Sequence, residues 1–208
     1  MTIANLRNKL VCNKINSDKK EERILDKFFT QNLICRKIKK SDIPLITDWG
    51  SSQVAYGEFL SCENDSFEDN LSKFENNSFW NEKSKTYIIE TKTDSIPIGT
   101  IKYWTKTDLP NVAMMAIKIT IPEFRNKGYG TEAQKGMIRE LFKKYNYNAI
   151  EMYTDFNNNA QKKCLKKLDF EDIKAENYID AGVQRQGYLY RLSKDRYEKS
   201  GVHIFYYE

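Results

Sequence analysis

The chain has 208 residues, 40% hydrophobic and 30% charged, and its 34 Lys and Arg outweigh 29 Asp and Glu for a net charge of +5. That composition allows a substantial core and excludes a disordered chain, and the mild positive charge suits an anionic ligand better than nucleic acid. The longest apolar run, Val112 to Ile117, falls far short of the ~20 residues of a membrane helix, and the start of the chain lacks the apolar centre of a signal peptide; a cytoplasmic protein with no membrane partner is expected.

Residues 1–31 are polar and charged and read as an N-terminal extension, with a short helical pattern in Ile24, Phe28 and Phe29 behind the charged run from Lys19 to Arg23. From Leu33 to Ile38 the alternation predicts a strand. Ser41 and Asp42, followed by Ile43 and Pro44, mark a helix start, and Ser66 ahead of Glu68 and Asp69 marks a second. Thr86–Thr91 and Ile98–Trp104 read as a hairpin around Asp94 and Ser95, and Val112–Ile121 as a third strand. A helix is predicted over Thr131–Tyr145, where Ala133, Met137, Ile138, Leu141, Phe142 and Tyr145 fall on one stripe at helical spacing. A strand (Ala149–Thr154), a short helix (Ala160–Leu168) and two last strands (Phe170–Tyr178, Gly187–Leu192) complete the pattern. This order predicts an α/β fold: a mixed, mostly antiparallel sheet with a helical crossover. The tail 200–208 alternates like a strand and is a candidate addition to a sheet edge, in this chain or in the partner of a homodimer.

The four cysteines, Cys12, Cys35, Cys62 and Cys164, are scattered, and His203 is the one histidine. No metal site and no Ser-His-Asp triad is expected from such a set. The segment from Ile119 to Ala133 carries more. A strand there runs into a loop holding Arg125, Gly128 and Gly130, and the loop opens the amphipathic helix. The first turn of a helix has unpaired N–H groups and a positive dipole end, glycines let the backbone approach a ligand, and Arg125 and Lys127 add charge. The loop lacks the third glycine of a dinucleotide fingerprint and the Gly-Lys-Ser/Thr of a P-loop.

Arg125, Gly128 and Gly130 resemble the (Q/R)xxGx(G/A) pyrophosphate loop of the GNAT superfamily of N-acetyltransferases. Downstream, Asn158 to Phe170 is similar to that family's run of asparagine, helix and Lys-Leu-Gly-Phe, with Asn158, Lys167, Leu168 and Phe170 agreeing. The resemblance spans about Leu33 to Lys199, giving an expected acetyltransferase domain at 32–199. The run Gly128–Ala133 and the ending Leu192–Tyr197 look closest to the ribosomal-protein and polyamine acetyltransferase branch.

The resemblance implies a GNAT fold with the sheet splayed at a cleft for acetyl-CoA. It implies that the backbone of Ile119, Thr120 and Ile121 pairs with the pantetheine arm. The amides of Arg125, Asn126, Lys127, Gly128, Tyr129, Gly130 and Thr131 are implied to hold the pyrophosphate, with Asn158 touching the arm. It also implies transfer of the acetyl group to a primary amine: a protein α-amine, a polyamine or an aminoglycoside. Two positions depart from the family pattern: Asp169 stands where glycine is usual, and Leu165 where many members carry a proton-donating tyrosine. Cys164 beside it reads as a buried apolar cysteine. The missing tyrosine leaves a non-catalytic acyl-CoA-binding module as the alternative. For the acceptor, Tyr56 and Glu58 between the early helices are the expected binding wall. Glu58, or Asp155 past the strand Ala149–Thr154, is the expected base, with Glu58 preferred because Tyr56 and Phe59 beside it can desolvate it.

Overall fold

The computed structural model describes residues 26–203. These residues form one eight-stranded sheet in the order β1-β2-β3-β4-β5-β6-β8-β7. The strands are β1 (Lys27–Phe29), β2 (Leu33–Lys37), β3 (Ser84–Thr91), β4 (Pro97–Lys106), β5 (Leu109–Ile119), β6 (Ala149–Asp155), β7 (Glu171–Asp180) and β8 (Val183–Ser193). The helices are α1 (Ile43–Gly50), α2 (Gln53–Tyr56), α3 (Phe67–Glu75), α4 (Tyr129–Lys143), α5 (Asn159–Lys167) and α6 (Lys194–Lys199). Every pairing is antiparallel except β5 with β6, which the crossover through α4 makes parallel.

One face of the sheet carries the main core. Ala133, Met137, Ile138, Leu141 and Phe142 of α4 pack there with Leu165 and Leu168 and with the inward residues of the strands. The stripe read from the sequence is this buried face. On the other face α1 and α3 enclose a smaller cluster of Ile38, Ile43 and Ile88, joined by Trp49, Leu71 and Phe79. The expected cap at Ser66 is present: its hydroxyl accepts from the Asp69 amide and the Asp69 carboxylate accepts from the Ser66 amide.

The N-terminal boundary differs from expectation. Phe28 and Phe29 lie in the edge strand β1, not in a helix, and Phe28 is buried against Tyr87. Ile24 and the charged run before it lie outside the described residues. At the other end Gly201–His203 forms a 3₁₀ turn, and the remainder of the tail lies outside the described residues.

The decisive feature is the short contact between β5 and β6. They pair only over Val112–Met114 and Ala149–Glu151, although β5 continues to Ile119 and β6 to Asp155. Beyond that point β5 stays hydrogen-bonded to β4, and β6 to β8. The facing edges therefore open as a wedge with its backbone groups turned to the gap.

Candidate functional site

The wedge opens toward the loop between β5 and α4. In that loop Asn126 and Gly128 adopt left-handed conformations, φ 59° and 89°, the second closed to most side chains. Gly128 is the N-cap of α4 and offers no side-chain cap, whereas Ser66 and Asn158 cap the helices that follow them. The first-turn amides of a fifteen-residue helix are thus left for a ligand at the mouth of the wedge. A cleft of about 430 Å³ runs from there along β5, lined by Ile117, Lys118 and Ile119 on one side and Asn158, Gln161 and Cys164 on the other.

Of the loop residues expected at an anion, Arg125, Asn126, Gly128, Gly130 and Thr131 line this cleft. Lys127 and Tyr129 turn to Phe124, with the Lys127 ammonium 5.9 Å and the Tyr129 ring 5.8 Å from its ring. Arg125 is also bonded within the protein itself. Its amide donates to Pro122 O, and its guanidinium donates to the carbonyls of Ile119 (2.8 Å), Val54 (2.6 Å) and Ala55 (2.8 Å). The side chain ties α2 to the end of β5.

Of the strand residues expected at the cleft, Ile119 lines it. Ile117–Ile119 face it, while Thr120 is buried with both its amide and its hydroxyl donating to Ile98 O, and Ile121 O accepts from Phe124 N. Strand β5 ends at Ile119, two residues earlier than the alternation suggested, because Pro122 starts a 3₁₀ turn. Asn158 reaches the cleft with its carbonyl oxygen committed to capping α5 through Gln161 N, so its amide group is what remains for a ligand.

Leu165 is fully buried in the core. Cys164 is buried with the main core, as expected, but its sulfur also meets polar neighbours. Its sulfur lies 3.1 Å from the Thr131 hydroxyl and accepts from Gln134 Nε2 at 3.1 Å, and it lines the cleft. Burial pushes its thiol above the usual range, against the two hydrogen bonds, so it is protonated at neutral pH. Gln134, 1% exposed, also donates to Gly130 O and accepts from Gln161 Nε2, which locks α5 to the first turns of α4. Sequence reasoning missed this network. Its one visible signal is a glutamine on the apolar stripe of α4, beside Ala133 and Met137. Asp169 takes the left-handed conformation that glycine would suit, φ 65°, and pairs with Arg196 at 2.6 Å.

The cleft shares Phe59, Leu60, Ile117, Asn158 and Gln161 with a neighbouring cavity of about 180 Å³, where Trp104, Tyr153, Tyr178, Asp155 and Asp180 converge. Tyr153 and Tyr178 stack with centroids 4.9 Å apart, and Arg185 sits 3.8 Å from Asp155 and 3.6 Å from Asp180. Tyr56 is buried on the wall of the cleft, its hydroxyl accepting from Lys118 Nζ at 2.5 Å. Glu58 lines the cleft but is exposed; the shielding expected from Tyr56 and Phe59 is not there, because Tyr56 turns inward to Lys118. Asp155 lies deeper, its side chain 19% exposed, with Oδ1 accepting from Asn157 N. Among the described residues no group of three or more His, Cys, Asp or Glu is placed to hold a metal, and no helix is long and apolar enough to cross a membrane.

Known structures share this architecture. A spermidine N-acetyltransferase SpeG chimera from Vibrio cholerae and hSSAT superposes with TM-score 0.68 at 15% identity, covering 82% of this chain and 100% of that one. The aminoglycoside acetyltransferase AAC(6')-Ib with paromomycin and acetyl-CoA gives 0.69 at 16%, covering 82% and 98%. RimL, a ribosomal L7/L12 α-N-protein acetyltransferase in complex with coenzyme A, gives 0.67 at 12%, covering 80% and 97%. At such identities the likeness is one of fold. No curated protein sequence matches the chain. The family model described as an acetyltransferase (GNAT) domain matches residues 32–171, the stretch that holds the wedge, the glycine loop and the helix after Asn158, and the chain belongs to that family.

Proposed function

We propose that the protein transfers the acetyl group of acetyl-CoA to a primary amine by direct attack on the thioester. The observation that carries this reading is the cleft at the β5/β6 wedge, which shares walls with the neighbouring cavity. It joins an uncapped helix start, suited to a pyrophosphate, to that acid- and aromatic-lined cavity. Coenzyme A fits the residues present. Amides from Asn126 to Thr131 take the pyrophosphate, and the open edge of Ile117–Ile119 pairs with the amides of the pantetheine arm. The thioester then points at the cavity holding Asp155. The glycine loop with its left-handed residues makes close backbone approach the means of binding.

Only a neutral amine attacks, whereas amines of pKa ~8–10 arrive protonated at neutral pH. The site must bind an ammonium and accept one proton. Asp155 is the better placed carboxylate for both, being inside the acceptor cavity, and Glu58 stands at the exposed mouth. The rings of Trp104, Tyr153 and Tyr178 suit a cation, and Asp180 adds a second negative charge. Holding amine and thioester in register supplies most of the acceleration, with proton removal worth ~10²–10⁴.

Thiol release from acetyl-CoA, measured across spermidine, an aminoglycoside and a peptide with a free N-terminus, tests the reading. Turnover is expected with at least one. Coenzyme A binding with no turnover on any amine points instead to the non-catalytic module that Leu165 allows. With the active amine, Asp155→Asn is expected to lower kcat at least tenfold and Glu58→Gln less than threefold, with coenzyme A affinity unchanged in both. The reverse order moves the base to Glu58.

A further inference from the structure

The sheet face covered by α1 and α3 carries a polar patch where an apolar floor is expected. A strand has period two, so Thr86 faces the same side as Ile88, which belongs to the small apolar cluster there. Cross-strand register sets Lys102 opposite Thr86 and Lys118 opposite Thr100. Four polar residues thus form a staggered patch over three strands, β3 to β5, beneath a helical layer, a position that ordinarily holds aliphatic side chains.

That patch is the floor of a cavity of about 240 Å³, roofed by Ile46, Trp49 and Phe79. The charges around it do not balance. Lys118 and Lys102 share one carboxylate, Glu63, at 3.4 and 3.8 Å, while the Lys73 ammonium at the rim has Asp65 to itself at 2.5 Å. The Lys118 side chain is only 16% exposed. Desolvation pulls its pKa down, with Lys102 acting in the same direction and Glu63 and Asp180 opposing. A buried cation of this kind is costly unless paired.

We propose that this cavity is a second ligand site, for a compact organic anion with a ring-sized apolar body, such as an aromatic carboxylate. Its carboxylate sits between Lys102 and Lys118 and accepts from Thr86 and Thr100, and its ring lies under Trp49 and Phe79. The size agrees: a dry apolar cavity of ~150 Å³ already takes benzene, and the added volume accommodates a carboxylate and its linker. The positive floor makes the site unsuited to the amine acceptor. The cavity meets the cleft at one place, where Tyr56 and Lys118 line both, the hydroxyl of Tyr56 accepting from Lys118 and its ring centroid 4.1 Å from the ammonium.

Calorimetric titration of the full chain with phenylacetate, phenylacetamide and phenethylamine tests this without any appeal to catalysis. Phenylacetate is expected to bind at least tenfold more tightly than the neutral amide, the amine not at all, and saturating coenzyme A is expected not to displace it. Lys102→Gln, which removes a partly exposed ammonium outside the cleft, is expected to weaken phenylacetate at least fivefold and leave coenzyme A affinity unchanged. The Trp49 indole NMR signal of the wild type is expected to shift with phenylacetate, a readout that stands even if the variant folds poorly. Equal affinity for acid and amide, displacement by coenzyme A, an unmoved Trp49 signal, or a folded Lys102→Gln that binds phenylacetate normally would each overturn the proposal.

Discussion

Four backbone carbonyls surround the guanidinium of Arg125: Ile119 and Thr120 at the end of β5, and Val54 and Ala55 some seventy residues upstream. Such a fork suits an arginine, whose planar donors can serve several acceptors at once. The sequence made this position legible as important but not in its role, since the direction of a long side chain depends on a loop that pairs with it from far away in the chain. The glycines were legible in role as well, because a left-handed φ at Gly128 is a backbone demand that follows from residue type. Arg125→Ala leaves partly buried carbonyls without donors, and charged hydrogen bonds contribute ~1.5–3 kcal/mol each without adding fully. A loss of about 2–4 kcal/mol in urea unfolding is expected, with a raised KM for the amine as the loop carrying Tyr56 and Glu58 loosens. Arg125→Lys is expected to recover less than half of the stability, since one ammonium cannot span both segments. Full recovery by lysine would mean that charge alone matters.

The joining of β1 to α4 is a matter of elements. Glu132, in the first turn of α4, accepts from the Thr30 hydroxyl, the Asn32 amide and the Asn32 side chain, which clips the edge strand beside the glycine loop. Further along α4, Gly136 lets the strand lie close: a Cβ there would come within 2.7 Å of both a Phe28 ring carbon and Thr30 Cγ2. Three residues are too few to show an alternating pattern, and Phe28 and Phe29 stand at helical spacing from Ile24, so this strand is illegible in the sequence. The long elements with strong period or clear caps, α4, α3 and the β3–β4 hairpin, were legible to within a few residues. The wedge between β5 and β6 was readable only through the family resemblance, because strand splay leaves no mark in residue order. Gly136→Val should push β1 off the sheet at a cost of about 1–3 kcal/mol, as overpacking does. Hydrogen exchange is the direct check: faster exchange confined to Lys27–Phe29 and its β2 partners is expected, and unchanged protection there would show that β1 does not depend on this contact.

At the scale of the whole molecule the end of the described chain closes over the junction of α4, α5 and α6. The Phe142 ring lies 4.6 Å from Tyr197, Tyr197 lies 4.9 Å from the buried ring of His203, and His203 Nε2 is 3.0 Å from Leu168 O. A carbonyl only accepts, so Nε2 carries the proton and donates, and Nδ1 is the bare nitrogen, buried without a partner. Protonating it would create an unpaired N–H and a charge in a desolvated place. Burial accordingly lowers the His203 pKa below its ordinary 6.5, with Lys135 acting in the same direction and the Leu168 hydrogen bond and Asp169 opposing it. The sign of the linkage follows. Because the folded pKa is the lower one, the unfolded chain takes up the proton first as pH falls. The stabilisation is complete above the unfolded pKa and drains away below about pH 6.5 until the folded pKa is reached, by at most about 1.4 kcal/mol per pH unit for one proton. Gln in place of His203 can keep the donor to Leu168 O but does not titrate. Urea midpoints measured from pH 7.5 to 5.5 are therefore expected to fall more steeply for the wild type than for His203→Gln, with the two curves diverging below pH 6.5. Parallel curves would mean that the imidazole finds a partner for Nδ1 when charged, and that the acid sensitivity of the molecule lies elsewhere.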